Sequence, residues 1–177
     1  MQETAIYSSP LGRILLAADN IGVTGLWFEG QKYFPQGLPD PRQAAESPFL
    51  LQAKHWLDQY FSGQRPGAIP PLHLIGTTFQ QAVWQLLRTV PYGQTVSYGQ
   101  LAHQLAAQQG RASLPAQAVG SAIGRNPISI LVPCHRVVGA NGSLTGYAGG
   151  IARKIELLKL EHAMRPEFFV PKHSSAP

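Results

Sequence analysis

The chain holds a single cysteine, which stands in the tetrapeptide Pro133-Cys134-His135-Arg136. A free cysteine is most often a small buried apolar residue. Here its neighbours are a proton-accepting histidine and a cationic arginine, and such groups convert a thiol into a thiolate nucleophile. Adjacent side chains at the end of an extended strand point to opposite faces, so contact of Cys134 with His135 requires a bend at Pro133 or a bridging water. The tetrapeptide therefore indicates nucleophilic chemistry, with packing as the alternative.

Glu161 is the candidate third member of this group. It lies three residues beyond Leu158, on the apolar side of the last predicted helix, and is one of three acids after Asp58. If Glu161 is buried, His135 is the obvious partner, because a carboxylate fixes the imidazole tautomer while the ring takes the thiol proton. The alternative is a solvated glutamate. A lone cysteine also excludes an internal disulfide and a zinc site built on two or more thiolates, and we expect no metal and no cofactor.

Charge is distributed unevenly along the chain. Residues 1–58 hold six acids and four bases, whereas residues 59–155 hold seven bases and no acid. A stretch without carboxylates has nothing to repel a polyanion, which is typical of a surface that binds phosphates. A solvated basic face without a partner is the alternative.

Composition and length indicate a folded protein of one or two domains. The 44% of apolar and 13% of charged residues exclude extensive disorder. No apolar run approaches the roughly 20 residues of a membrane span, and the N-terminus lacks the pattern of a secretory signal. We therefore expect a cytoplasmic protein that does not associate with membranes. As a separate expectation, the chain is a monomer.

The first 65 residues are typical of a small α+β domain. Apolar and polar residues alternate over residues 4–28 between turn signals, which predicts an antiparallel meander. Residues 30–47 are typical of a loop, and apolar residues at helical spacing from Pro48 to Gly63 predict one amphipathic helix. The Pro- and Gly-rich residues 66–77 are the predicted linker to a second domain at 78–165.

The second domain is predicted to be mostly helical. Helices are expected at residues 78–90, from the capping box of Ser97 and Gln100 to Gly110, and from Ser113, with Pro115 in the first turn, to Gly124. The last two indicate a helix-turn-helix, with a plain αα-hairpin as the alternative. We further predict a short buried strand at residues 128–132, a helix at 150–163 and a flexible tail at 166–177.

Several stretches of the second half together match a known family. They are Asn126 to Gly139 (NPISILVPCHRVVG), Gly142, Leu144, Gly146 to Gly150, Lys154, Leu157 to Glu161, Val90 to Gly93, Ser97 to Ala102 and Ala118 to Gly120. The set closely resembles the O6-alkylguanine-DNA alkyltransferases, also called methylated-DNA–protein-cysteine methyltransferases. The resemblance is specific over residues 78–161 and weaker over the N-terminal domain.

The resemblance implies a fold and an activity. The fold is an α+β N-terminal domain with a small antiparallel sheet, RNase H-like, followed by a mostly helical C-terminal domain of the winged helix-turn-helix type. The activity is DNA repair by stoichiometric transfer of an alkyl group from guanine O6 to Cys134, after the base is flipped out of the duplex. The partner is double-stranded DNA carrying O6-alkylguanine, with O4-alkylthymine as a further candidate lesion, and no protein partner is obligatory.

The resemblance also assigns roles to residues of the catalytic site. Cys134 is the nucleophile, His135 acts through water as its base, Glu161 orients His135, and Asn126 holds the turn that bears the site. Tyr98 donates to guanine N3 and helps to rotate the target phosphate. The substrate base is read by residues of the pocket, namely the backbone near Val137 and Ala148 together with Tyr147.

The resemblance further implies that the second helix of the helix-turn-helix enters the minor groove. Its DNA-binding residues are expected to be Gln117, Ala118, Gly120, Ser121 and Arg125, and small residues at Gly120, Ala122 and Gly124 are expected to allow close approach. Arg136 is either a further phosphate contact or a structural anchor. The family usually has arginine, where this chain has Gln117, to fill the gap left by the flipped base. Glutamine has a shorter reach and no charge, so we predict that Gln117→Arg speeds repair.

Two other functions are alternatives to alkyl transfer. The first is a non-catalytic sensor that binds alkylated bases in damaged DNA, but family members of that kind replace the cysteine. The second is a hydrolase that uses Cys134, His135 and Glu161, which accounts for neither the acid-free basic half nor the helix-turn-helix.

Overall fold

The structure, a computed structural model, describes residues 1–41 and 47–172. They form two compact units. The N-terminal unit comprises Met1–Ile75 together with Pro127–Leu131, and the C-terminal unit comprises Gly76–Asn126 and the chain from Val132 onward. None of the helices in the described part of the chain combines the length and the apolarity needed to cross a bilayer.

A three-stranded antiparallel sheet forms the framework of the N-terminal unit and confirms the predicted meander. Its strands are β1 (Glu3–Ser9), β2 (Gly12–Ala18) and β3 (Val23–Phe28). Strand β2 is central, pairing Leu16 with Ala5 on one side and with Leu26 on the other. Residues 14–18 of β2 are all buried, so both faces of this strand are covered.

Helix α1 (Pro48–Phe61) packs against all three strands. It begins where predicted because the Ser47 hydroxyl accepts a hydrogen bond from the Leu50 N–H and Pro48 needs no partner in the first turn. It ends before Gly63, which has a φ of 84°. Residues 30–41 of the predicted loop contain no helix or strand, and residues 42–46 lie outside the described part of the chain.

The prediction of a strand at residues 128–132 is wrong. The segment makes a single parallel bridge, in which Leu26 N–H donates to Pro127 O at 2.9 Å and Ser129 N–H donates to Leu26 O at 3.1 Å. The chain then turns at Ile130, whose φ is 71°, an uncommon value for a β-branched residue. A run of apolar, β-branched residues indicates burial, and this segment is buried. A buried segment need not form the row of hydrogen bonds that defines a strand.

The C-terminal unit is built on three helices that pack against one another. They are α2 (Thr78–Leu87), α3 (Tyr98–Gln108) and α4 (Ala116–Gly124). The predicted capping box of Ser97 and Gln100 at the start of α3 is confirmed, and Thr77 with Gln80 forms a second one on α2. Helix α4 was predicted to start at Ser113, but it begins only after Pro115, which has extended backbone angles.

The rest of the C-terminal unit consists of a short ladder and a last helix. Strand β4 (Val96–Ser97) pairs in parallel with β5 (Val137–Val138), and α5 spans Ile151–Leu160, which is shorter than predicted. Beyond α5, Phe169 N–H donates to Gly142 O at 3.1 Å and Leu144 N–H donates to Phe169 O at 2.8 Å. This part of the predicted tail is therefore bonded to residues 142–144, whereas residues 173–177 lie outside the described residues.

Candidate active site

Cys134 begins a single turn of 3-10 helix that spans Cys134–Arg136. The turn is closed by Cys134 N–H donating to Val132 O at 2.8 Å and by Arg136 N–H donating to Pro133 O at 3.0 Å. The backbone therefore bends at Pro133, one of the two conditions under which Cys134 and His135 act together. The cysteine is 5% exposed.

His135 and Glu161 form a buried pair. The distance from His135 Nε2 to Glu161 Oε2 is 2.5 Å, and neither side chain is exposed. Glu161 is the C-cap residue of α5, so the end of the last helix brings the carboxylate to the 3-10 turn. Nδ1 of His135 has no hydrogen-bond partner within residues 1–41 and 47–172. With Nε2 committed to the carboxylate, Nδ1 is the atom left to take a proton.

Arg136 is held inside the protein by three groups. Its Nε donates to Glu161 Oε1 at 2.7 Å, its Nη1 donates to Val90 O at 2.8 Å, and the guanidinium lies 5.8 Å from the centre of the Tyr92 ring. Glu161 Oε1 also accepts from Gly93 N–H at 3.1 Å. Arg136 and Glu161 therefore tie the turn after α2 to the 3-10 turn. Of the two roles weighed for Arg136, the structural anchor fits these contacts.

At pH 7 the histidine of the buried pair is neutral, whereas the glutamate is negatively charged. Burial lowers the pKa of His135 and outweighs the opposing effect of Glu161, so the imidazole is neutral at pH 7. Burial alone would raise the pKa of Glu161, but hydrogen bonds and charges from His135 and Arg136 hold that pKa well below its usual range. The site thus contains a neutral base beside a permanent carboxylate.

Asn126 holds the backbone of the active-site turn. Its Nδ2 donates to Val132 O at 2.8 Å, the same carbonyl that accepts from Cys134 N–H. Burial raises the pKa of the Cys134 thiol, while a hydrogen bond from Asn126 and the charge of Lys154 oppose the rise. The resting cysteine is therefore a protonated thiol at pH 7.

Lys154 is the residue of the site whose importance was missed from the sequence. It is completely buried in α5, and its Nζ donates to Val137 O at 2.5 Å and to Thr145 O at 2.9 Å. Burial lowers its pKa to about 8, and the negative charge of the Cys134 thiolate, once that thiol ionises, opposes this fall. The signal was present, because Lys154 lies three and four residues from Ile151 and Leu158 on the apolar face of the helix.

Tyr98 is the first residue of α3, and its side chain contacts the same loop that Lys154 contacts. Its hydroxyl donates to Thr145 O at 3.1 Å and lies 3.5 Å from Gly146 O. Burial raises the pKa of Tyr98 to about 12, and the negative charge of the Cys134 thiolate, once that thiol ionises, adds to the rise. Tyr98 is thus a hydrogen-bond donor near Cys134 rather than a group that ionises at pH 7.

The residues predicted to contact the substrate base are Tyr147, Ala148 and Val137. Tyr147 is buried and Ala148 is half-buried. Val137 is buried in β5, where its N–H donates to Cys134 O and its carbonyl accepts from Lys154. That carbonyl keeps a second lone pair for another donor.

Helix α4 presents a mixed surface of long polar and small residues. Gln117, Ser121 and Arg125 are exposed, and Ala118 and Gly120 are half-exposed. A side-chain carbon added at Gly120 would meet no atom within 4 Å, so this position is open on the protein side. The expectation that Ala122 and Gly124 aid groove approach is wrong, because both are buried against the protein interior.

In the described part of the chain, His, Cys, Asp and Glu side chains form no group of three or more with the spacing of a metal site. The chemistry that the described residues offer is that of a thiol, a neutral imidazole, a carboxylate and a phenol.

Comparison with known proteins gives consistent matches in both halves of the chain. The family model described as 6-O-methylguanine DNA methyltransferase, DNA binding domain, matches residues 78–163. The model described as the ribonuclease-like domain of the same proteins matches residues 4–68. The second match agrees with the predicted RNase H-like N-terminal domain.

Individual relatives match over nearly their full length. The chain is 46% identical over 153 residues to a methylated-DNA–protein-cysteine methyltransferase of Mycobacterium leprae, covering 86% of this chain and 88% of the relative. It is similar to the crystal structure of Mycobacterium tuberculosis O6-methylguanine methyltransferase, with a TM-score of 0.75, 43% identity, and coverage of 94% of this chain and 96% of the other. The same protein in complex with DNA gives a TM-score of 0.77 at 43% identity, covering 91% and 93%. These findings confirm the family that the sequence resembles, and the chain belongs to the methylated-DNA–protein-cysteine methyltransferases.

Proposed function

We propose that this chain repairs DNA directly, by moving a methyl or other alkyl group from guanine O6 in double-stranded DNA to the sulfur of Cys134. The carbon–oxygen bond breaks and a carbon–sulfur bond forms. The thioether is stable, so each chain reacts once. One observation carries the proposal: the buried Cys134 and the His135–Glu161 pair lie in the same compact unit as the helix pair α3 and α4.

Access to the lesion requires the base to leave the duplex. The alkyl carbon on O6 lies within the base stack, and extruding a nucleotide costs a few kcal/mol. Helix α4 is the element proposed to enter the minor groove, with Gln117, Ala118, Gly120, Ser121 and Arg125 against the DNA. Exposed basic residues of a segment that has no acids, such as Arg125, support a contact with phosphates.

Proton transfer from Cys134 is the first chemical step. Because burial keeps the thiol protonated, a base has to take its proton before or during attack. His135 is neutral and has Nδ1 available, so it would accept the proton through a bridging water. Glu161, 2.5 Å from Nε2, would stabilise the imidazolium that forms.

The departing guanine takes the electron pair of the broken carbon–oxygen bond. A donor at guanine N3 stabilises that charge, and Tyr98 is proposed to supply it. In the structure the Tyr98 hydroxyl donates to Thr145 O, so it would exchange this carbonyl for the base. Lys154 also donates to Thr145 O, and would keep the loop in place when Tyr98 leaves it.

The substrate pocket is proposed to recognise O6-alkylguanine through the backbone near Val137 and Ala148 and through the Tyr147 ring. O4-alkylthymine has the same alkyl–oxygen bond on a smaller ring and is the second candidate lesion. We further propose a cytoplasmic monomer that needs no protein partner, because the reaction requires only the DNA and one chain.

The test is mass spectrometry after incubation with a duplex that carries one O6-methylguanine. We expect the chain to gain one methyl group, on the peptide that contains Cys134, and the DNA to be returned as guanine. Cys134→Ser is the control and should gain nothing. Binding without a mass gain would indicate a sensor instead, and neither binding nor mass gain would leave a hydrolase.

A further inference from the structure

Trp84 makes a buried hydrogen bond to the helix proposed to enter DNA. Its indole Nε1–H donates to Ala122 O at 2.8 Å, across 38 positions of sequence. Trp84 lies in α2 and is 2% exposed, and Ala122 lies in the last turn of α4. The carbonyls of a last helical turn have no partner within the helix, so the indole caps one that would otherwise be buried without a donor.

Space around the indole is restricted on a second side. A side-chain carbon at Gly76 would lie 2.5 Å from the Trp84 ring, which no real contact allows. Gly76 immediately precedes Thr77, the N-cap of α2, so the same segment that starts α2 also confines the ring. The indole is therefore fixed both by its bond to α4 and by the backbone at residue 76.

The carbonyl that accepts from Trp84 is not the one that accepts from Asn126. Asn126, which holds Val132 O beside Cys134, donates its own N–H to Ile123 O rather than to Ala122 O. Loss of the indole donor would therefore remove a bond to α4 without removing any hydrogen bond of the active-site turn.

We propose that Trp84 is a positioning residue that sets the placement of α4 for duplex DNA through its hydrogen bond to Ala122. The inference rests on the proposed function, because it takes α4 as the element that enters the groove. It assigns to Trp84 no contact with the substrate and no part in the chemical step. A loss of the bond should therefore slow reaction with DNA and spare reaction with a free base, which needs the pocket but not α4.

The experiment compares two substrates for the variant Trp84→Phe, which keeps an aromatic ring but has no N–H. Methyl transfer to Cys134 is measured with a duplex carrying one O6-methylguanine and with the free O6-methylguanine base. The ratio of the duplex rate to the free-base rate should fall about tenfold, the equivalent of about 1.4 kcal/mol. A positioning role moves this ratio, whereas general destabilisation lowers both rates together.

Trp56→Phe is the matched control. It removes the same kind of bond, from indole Nε1 to Gly67 O at 3.1 Å, but in the N-terminal unit. Its ratio should equal that of the unaltered chain.

Gly76→Ala supplies a second, independent variant, since it displaces the ring without removing its N–H. If Trp84→Phe does not fold, the ratio for Gly76→Ala decides the question. An unchanged ratio, or an equal fall on both substrates, would overturn the proposal for Trp84. Failure of the unaltered chain to react with either substrate would instead overturn the proposed function.

Discussion

The two units of the chain differ in what they bury. In the described part of the chain, the buried polar residues of the N-terminal unit are Thr4, Thr24, Gln31 and Ser129, all of them uncharged. Those of the C-terminal unit are Asn126, His135, Arg136, Lys154 and Glu161, four of which ionise. Each of the four interacts with Cys134, with the 3-10 turn or with the loop beside it.

The difference shows that the two units use their buried side chains for different purposes, one for stability and the other for function. Buried ions lose hydration and seldom stabilise a fold more than apolar side chains of the same size would. The N-terminal unit avoids that cost with an apolar core on a central strand. The C-terminal unit accepts it at one place, around its single nucleophile, which is where a reaction has to move a proton and disperse charge.

Replacing Glu161 with glutamine should give the largest effect. The change leaves Arg136 buried without its carboxylate and removes the partner of His135. We expect a loss of about 3 kcal/mol in the free energy of unfolding, measured with urea. Methyl transfer should slow by about 100-fold, because the imidazolium loses its counterion.

Glu156→Gln is the control, since Glu156 lies on the same helix in an exposed pair with Lys159 at 3.7 Å. It should change the unfolding free energy by less than about 0.5 kcal/mol. Equal effects of the two variants would contradict the contrast between buried and exposed charge.

Acid should destabilise the chain through the buried pair. Folding lowers the pKa of both His135 and Glu161, so the unfolded chain binds more protons at acid pH and the free energy of unfolding falls as pH falls. For His135 the fall begins near its ordinary pKa of about 6.5, at up to about 1.4 kcal/mol per pH unit, and for Glu161 it begins near about 4.3. Urea unfolding of the unaltered chain and of His135→Gln between pH 7 and pH 5 measures the first part. Parallel slopes for the two proteins would contradict the assignment.

Sequence reasoning succeeded where structure is set locally. The Ser97–Gln100 capping box, the meander and the pairing of His135 with Glu161 each depend on neighbours in sequence or on one obvious partner. It failed where tertiary contacts decide. The sequence allows two roles for Arg136, and only its contacts with Val90 and Glu161 in the fold distinguish them. Burial of the Lys154 charge likewise depends on contacts that the sequence does not specify. The apolar run at residues 128–132 predicted burial but could not specify a single bridge followed by a turn.

Gln117→Arg tests whether one more positive charge on the exposed surface of the C-terminal unit improves DNA binding and repair. Gln117 is exposed near the start of α4, where an arginine would add charge and reach. We expect tighter binding to a methylguanine duplex and a second-order repair rate raised about fivefold, equivalent to about 1 kcal/mol. Gln52→Arg adds the same charge to the N-terminal unit and should change neither. An unchanged or slower repair rate for Gln117→Arg would count against this role.

Gly120→Ala should have the smallest effect of these variants. It should raise the free energy of unfolding but lower the rate of the duplex reaction. The added carbon meets no atom of the protein within 4 Å and replaces a poor helix former, so the chain should be stabilised by about 0.5–1 kcal/mol. In the duplex reaction the same carbon would face the groove, and the rate should fall a few-fold while the free-base rate stays the same. A stabilised variant with an unchanged duplex rate would show that Gly120 does not face DNA.

The proposed function requires that Cys134 keeps the alkyl group that it removes. The most direct test counts methyl groups transferred per chain, with duplex O6-methylguanine in large excess and the reaction followed to completion. We expect a rapid transfer of one methyl group per chain, no second turnover, and no transfer by Cys134→Ser. Continued turnover, or repair that survives the loss of this sulfur, would contradict it.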